Sequence, residues 1–234
     1  MEHQIIPAVK CAPTEELLAA AQDSGISAVE LFLWEGTARD PDRIIELCRR
    51  FPFKYAVHGP NDCYRPAELK RLVEGIGAQV VVMHDILWED EWRGLAEIFR
   101  GGPARICVEN IASIHESERM ERRFGMGRCL DMEHIQLNCC GFYEGGLGRF
   151  IRRTHHVHMT GYEYGTKSWH TPIDRAPAHC RHQLDLLAKN GYRGMVVSEA
   201  DAPYQNVEDF RKVREFFLSW ERSSRVLPNS SGRL

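Results

Sequence analysis

Eight short stretches rich in branched and aromatic residues recur along this chain, and amphipathic helical patterns fill the gaps between them. That alternation constrains the fold more than any other feature. The strand-like stretches are QIIPAV (4–9), AVELFLW (28–34), KYAVHG (54–59), QVVVMH (79–84), RICVEN (105–110), RCLDM (128–132), HHVHMT (155–160) and GMVVSE (194–199). The helical stretches carry punctuation. Thr14 precedes the acidic first turn of EELLAAAQ, and Gly25 supplies a stop. Asp40 followed by Pro41 is an N-cap with proline at the first helical position, opening DRIIELCRR. Asn206 opens the last helix, VEDFRKVREFFLSW. Strands alternating with helices predict a parallel sheet of βα units. Eight units within 234 residues, 43% of them hydrophobic, predict a single-domain (β/α)8 barrel of the α/β class. No GxGxxG or P-loop spacing follows a strand, which removes the usual nucleotide-binding reason for an open sheet. The barrel is expected over 1–222, followed by a polar, flexible tail at 223–234.

In such a barrel, chemistry gathers at the C-terminal ends of the strands. Here those ends are unusually rich in groups that bind metals. Glu35 follows the second strand, His58 ends the third and His84 the fourth. Glu109 ends the fifth, Asp131 and His134 the sixth, His158 lies near the end of the seventh, and Glu199 ends the eighth. One histidine or acid at a strand end is weak evidence. Six successive ends that each offer a ligand, all converging on one pocket, point to a divalent-metal centre. A mixed imidazole and carboxylate set without cysteine suits zinc, manganese, cobalt or iron. The stretch RTHHVHMTGYEYGTKSWH adds His156 on the same strand face as His158, with Val157 and Met159 opposite, and brings His170 over the pocket by its loop. Trp34, Trp88 and Trp169 stand near strand-end loops, and Trp34 and Trp169 are candidates for an apolar wall of that pocket. Glu30, inside AVELF, is expected to face inward and hydrogen-bond within the barrel.

Net charge and cysteine usage narrow the classes. A net charge of −3 argues against a general nucleic-acid partner, and Arg149, Arg152 and Arg153 precede the seventh strand, at the end opposite the pocket. No apolar run reaches the roughly 18 residues of a membrane span, and the N-terminus lacks a signal-peptide stretch. The eight cysteines show no CxxC spacing, and Cys139–Cys140 is their one close pair. Reduced thiols in a cytoplasmic protein are therefore expected. The exposed helix faces carry no distinctive apolar stripe that would set an oligomeric state.

The strings AVHGP, VVMHD, CVENI, LDMEH, HHVHM and VVSEA, in that order, resemble the xylose-isomerase-like barrel superfamily. That superfamily contains sugar and sugar-phosphate isomerases and epimerases of the tagatose-epimerase and hydroxypyruvate-isomerase type, and also endonuclease IV. The resemblance covers the chain to about Trp220. Its epimerase-like branch implies one divalent metal (Mn, Zn, Co, Mg or Fe) held by Glu109, Asp131, His158 and Glu199, with His134 facing substrate. Its endonuclease-like branch implies up to three metals, with His58, His84, His134 and His170 joining the set. The chain departs from the superfamily in two places. His158 is followed by Met159, Thr160 and Gly161 instead of H-x-K/N-D, leaving Asp174 or Glu163 as the acids nearest to a replacement. The later H-x-P-x-G-x-G pattern survives only as His170-Thr171-Pro172, without its glycines.

The expectation is thus a metal-dependent sugar or hydroxy-carbonyl isomerase or epimerase. It would work by proton transfer through an enediolate whose oxygens a cation holds, with Glu109 and Glu199 as base and acid. His58, His84, His134 and His170 would contact substrate or water around the metal. The alternative is a metal-dependent phosphodiesterase of the abasic-site endonuclease type.

Overall fold

A computed structural model describes residues 5–138, 144–162, 166 and 168–226. Cys139–Cys140, Glu163 and residues 227–234 of the expected tail lie outside the described residues. The eight strands are β1 (Ile5–Cys11), β2 (Ala28–Phe32), β3 (Lys54–His58), β4 (Val80–Met83), β5 (Arg105–Glu109), β6 (Gly127–Asp131), β7 (Thr154–Met159) and β8 (Gly194–Ser198). The α-helices are α1 (Glu15–Ser24), α2 (Glu35–Ala38), α3 (Pro41–Cys48), α4 (Pro66–Ile76), α5 (Glu89–Ile98), α6 (Ile114–Phe124), α7 (Met132–Asn138), α8 (Glu144–Ile151), α9 (Pro177–Lys189) and α10 (Val207–Val226).

All neighbouring strands pair in parallel, and β1 closes on β8 to complete a barrel in the order β1 to β8. The helix signals do their expected work. The Thr14 side chain accepts from the Leu17 N–H, Gly25 takes the left-handed conformation at φ 80°, and Asp40 accepts from the Arg43 N–H. Asn206 Oδ1 accepts from the N–H groups of Glu208 and Asp209 at the start of α10. That helix runs to Val226, four residues into the segment read as tail. The second strand stops at Phe32, short of the expected Trp34. The Leu33 N–H still donates to the His58 carbonyl, but Trp34 already serves as N-cap of the short helix α2.

Side-chain alternation splits the interior in two. Outward-facing Val9, Val29, Leu31, Val57, Val81, Val108, Leu130, Val157 and Val196 join the helices in one large core. The lumen is different: small residues, Ala8, Ala28, Ala56, Cys107, Cys129, Val82 and Val197, line part of it together with Met195. Packed against them are polar residues, with Lys10, Glu30, Glu109, Asp131, His156 and His158 all buried. The six described cysteines carry no disulfide. Among the described residues, no helix is long and apolar enough to cross a membrane.

Candidate metal centre

Parallel strands of matched register deliver their last inward residues to one level. Glu109 sits beside Cys129 in register, Asp131 beside His158, and Val197 beside His158 on the other side, so that Glu199 follows one step above. One ligand atom from each of Glu109, Asp131, His158 and Glu199 falls within 4.8 Å of the others. His158 Nδ1 lies 3.0 Å from Glu199 Oε2, 3.4 Å from Glu109 Oε2 and 3.8 Å from Asp131 Oδ2. Four buried atoms, Glu109 Oε1, Asp131 Oδ2, His158 Nδ1 and Glu199 Oε2, have no partner in hydrogen-bond geometry. Orphaned polar atoms at this depth cost free energy unless something satisfies them. Three carboxylates and an imidazole aimed at one point form a donor set suited to a divalent cation.

The end of β6 is braced so that only one Asp131 oxygen is spent on structure. Asn110 bonds the Asp131 backbone in both directions, its Oδ1 accepting from N–H at 2.9 Å and its Nδ2 donating to the carbonyl at 3.0 Å. Asp131 Oδ1 then accepts from the His134 N–H at 2.6 Å, capping the start of α7. That leaves Oδ2 free.

Glu109 is a hub of imidazoles. His58 Nε2 and His84 Nε2 each lie 3.3 Å from its Oε2, and His134 Nδ1 lies 3.1 Å from its Oε1. His134 Nδ1 also meets the Asn110 carbonyl at 3.1 Å, which draws its N–H off the line to Glu109. Burial alone would raise the Glu109 carboxyl, but the His158 charge and the imidazole contacts carry it well below the usual carboxylate range. Asp131 goes the other way: burial, with the charges of Glu109 and Glu199 nearby, holds it well above. Burial works against the charged form of His134, yet Glu109 and Asp131 outweigh it and push its pKa up to about 9. Burial and the Lys10 charge together hold His58 below the usual imidazole value.

Lys10, on β1, is absent from the expected site and is central to it. It is 8% exposed, forms an ion pair with Glu199, lies 3.9 Å from Glu30 Oε1 and sits 5.2 Å above the Phe32 ring. Burial works against its charge, but the three carboxylates Glu199, Glu30 and Glu109 more than compensate. Glu133 is a second unexpected member. Fully buried on α7, its two oxygens accept the His170 N–H at 3.0 and 3.2 Å. His170 is held in the left-handed region at φ 46°, a conformation that costs a non-glycine residue about 1–2 kcal/mol. Gly161 explains one departure after β7. Its N–H donates to the Thr171 carbonyl, and a Cβ there would lie 1.9 Å from the Pro172 oxygen. Only glycine lets the loop carrying His170 return this close to β7.

Above the buried ligands opens a cavity of about 420 Å³, lined by Lys10, Phe32, His58, His84, Glu109, His134, His170, Glu199 and Gln205, among others. The four histidines read as substrate-facing therefore all reach it. Trp34 and Trp169 do not line it. They are 39% and 52% exposed, and the Trp34 ring lies 6.4 Å from that of Phe32, which does line the cavity. Glu35 points away and pairs with Arg39. Asp174 is exposed and belongs to none of the described ligand groups. Glu30 faces inward as expected, within hydrogen-bond distance of His156 and His158.

No protein-family model matches the chain, and no curated protein matches it. Solved structures do. A D-allulose 3-epimerase from Methylomonas sp., in complex with D-allulose, superposes with a TM-score of 0.62 at 13% identity, covering 93% of this chain and 98% of that one. Phosphoribosyl anthranilate isomerase from Thermotoga maritima gives 0.57 at 14% identity, with 94% and 99% covered. A dihydropteroate synthase from Coxiella burnetii gives 0.56 at 11% identity, with 97% and 95% covered. These likenesses establish the (β/α)8 barrel over essentially the whole chain. Barrels of this kind host unrelated chemistries, so function must be argued from the site.

Proposed function

We propose that this chain is a divalent-metal-dependent isomerase or epimerase acting on a sugar or another hydroxy-carbonyl compound. The observation that carries the reading is the set of four orphaned ligand atoms on Glu109, Asp131, His158 and Glu199, buried beneath a cavity large enough for a small polyol. The barrel shared with an epimerase captured with D-allulose agrees with it. These four residues would hold Mn, Zn, Co, Mg or Fe, and such an ion supplies Lewis-acid polarisation of a carbonyl next to the reacting carbon.

The chain's own groups do the rest. Glu199, kept ionised by His158 and Lys10 despite its burial, takes a proton from the carbon beside the carbonyl at its carboxylate oxygen. Glu109, ionised at rest, would first take a proton from His134 and then deliver it to the same or the neighbouring carbon. His134 Nδ1 lies 3.1 Å from Glu109 Oε1, with its pKa pushed up to about 9, and would pass that proton on by turning from the Asn110 carbonyl towards Glu109. His58, His84 and His170 face the cavity and orient hydroxyl groups. Lys10 and Phe32 close its β1–β2 side.

The test is incubation with candidate ketoses in deuterated water. Deuterium should enter at the carbon next to the carbonyl, and more slowly in E109Q and E199Q. A second reading, a metal-dependent phosphodiesterase with more than one ion, is favoured by one observation. His58, His84 and Glu109 form a further group whose ligand atoms lie within 4.8 Å of one another. Metal analysis of the isolated protein separates the two: one equivalent supports the epimerase, two or three the hydrolase. Cleavage of abasic DNA with no ketose exchanging deuterium would replace the first reading by the second.

A further inference from the structure

The lumen holds a buried charge that the proposed chemistry does not use. Glu30 lies on β2, fully enclosed, as are His156 and His158 on β7. His156 Nε2 stands 2.7 Å from Glu30 Oε2, and His158 Nε2 stands 3.2 Å from the same oxygen and 3.1 Å from Oε1. A carboxylate in so dry a place carries a heavy desolvation cost, and well-packed apolar side chains commonly serve stability as well or better. The arrangement calls for a reason other than stability.

Imidazole has two nitrogens, and a metal takes the one that bears no proton. An ionised carboxylate only accepts hydrogen bonds, so the His158 Nε2 that meets Glu30 must carry the N–H. The nitrogen left to give up its proton and offer a lone pair to a cation is then Nδ1, which faces Glu199, Glu109 and Asp131. Glu30 itself is fixed from two other directions, by the N–H of His156 and by Lys10 at 3.9 Å. His156 Nδ1 has no hydrogen-bond partner and leads no further. The chain His156–Glu30–His158 therefore ends at the ligand nitrogen.

We propose that Glu30 is a positioning residue for the metal centre: it fixes the tautomer and ring plane of His158 so that Nδ1 is presented to the cation, and His156 holds Glu30 in place for that purpose. The inference rests on the reading that Glu109, Asp131, His158 and Glu199 bind a divalent ion. It adds that the affinity and geometry of that site are set from inside the barrel, by a residue that touches neither metal nor substrate. Carboxylate partners of ligating histidines typically govern metal affinity by about 10–100-fold.

Glu30→Gln keeps the volume but offers one acceptor oxygen and an NH2 group that opposes the second imidazole N–H. Chelator competition with Zn2+ alone should show about 10–100-fold weaker binding to E30Q than to the parent. Co2+ alone should give altered visible absorption bands in E30Q, a change that general loosening of the fold does not produce. E30Q binding Zn2+ within twofold of the parent, with identical Co2+ bands, overturns the role of Glu30 while leaving the metal centre standing. Failure of the parent to bind either ion removes the centre and the inference together. Histidine nitrogen NMR of the parent decides the matter if E30Q does not fold. The His158 Nε2 should stay protonated while Zn2+ shifts Nδ1, and zinc on Nε2 overturns the proposal.

Discussion

On one side of the barrel mouth, β5, β6 and β8 lead to the carboxylates of Glu109, Asp131 and Glu199, and β7 presents the imidazole of His158. On the other side, β1 presents Lys10, β2 Phe32, and β3 and β4 His58 and His84. The first side gathers negative charge and unsatisfied acceptors, the second a buried ammonium, an aromatic face and imidazoles. Charge of one sign concentrated in a low-dielectric cavity is tolerable only with a counterion. The β5–β8 side is therefore shaped for a cation, and Lys10 reaches across as the one permanent positive charge among the described residues lining the cavity. On the proposed reading the contrast is a division of labour: one side would hold the ion, and the other would face the substrate.

The comparison can be broken most sharply on the acidic side. E199Q keeps size but loses the base, and turnover should fall by about 10²–10⁴-fold, with metal content measured in parallel. Equal activity at equal metal content would end the assignment. Next in size is K10M, which strands Glu199 without its buried partner. Removing one member of a buried pair costs about 3–5 kcal/mol, so the metal-free protein should melt well below the parent in thermal denaturation. Added Zn2+ should restore part of the loss by replacing the missing charge. A K10M melting curve equal to the parent's would show the pair to be worthless.

His84 lies on the substrate side, 23% exposed at its side chain. H84A should keep the first metal equivalent by elemental analysis and lose activity chiefly through a raised KM. Loss of all metal would instead join the two sides into one multinuclear centre. The smallest effect concerns His134, whose pKa stands at about 9 in the fold against about 6.5 when free. A raised folded value means stabilisation present in full below pH 6.5 and lost as pH rises through 9. Metal-free H134Q should thus melt lower than the parent at pH 6, by ~2–4 °C for each kcal/mol lost, and the gap should close above pH 9. Glu109, Asp131 and Glu199 are the charges that face this ring and set its sign.

The acidic side was legible in the sequence because strand ends in a closed barrel must converge, so a ligand-type residue at each end can be read without knowing any distance. The same logic gave the eight strands themselves, through alternation and capping. Lys10 escaped because the strand read from the sequence, QIIPAV, stops one residue short of it, whereas β1 runs to Cys11. Its partner Glu199 is 189 positions away, and only closure of β1 on β8 brings them together. Glu133 hid between Asp131 and His134, where an acid on a short helix looks solvated, yet it is buried to pin His170. Trp34 and Trp169 were read as pocket walls from their place after strands. Their exposure reflects loop paths that periodicity does not encode. Glu30 was read correctly as inward, but its tie to His156 and His158 depends on β2 and β7 facing each other across the lumen.

The small residues packed against the polar ones in the lumen, Ala8, Ala28, Ala56, Cys107 and Cys129, have a consequence for how this site can change. A closed ring of eight hydrogen-bonded strands has a fixed girth, so volume inside it is conserved from level to level. Room taken by Glu30 and His156 is room given up by Ala56 and Cys129, their neighbours in register, and an added methyl group there would push against them. Interiors packed at crystalline density transmit such strain instead of absorbing it. Shifts under 1 Å suffice to alter catalysis. The buried polar residues can therefore be shifted by exchanging Ala8, Ala28 or Ala56, none of which lines the cavity, without touching a residue of its wall.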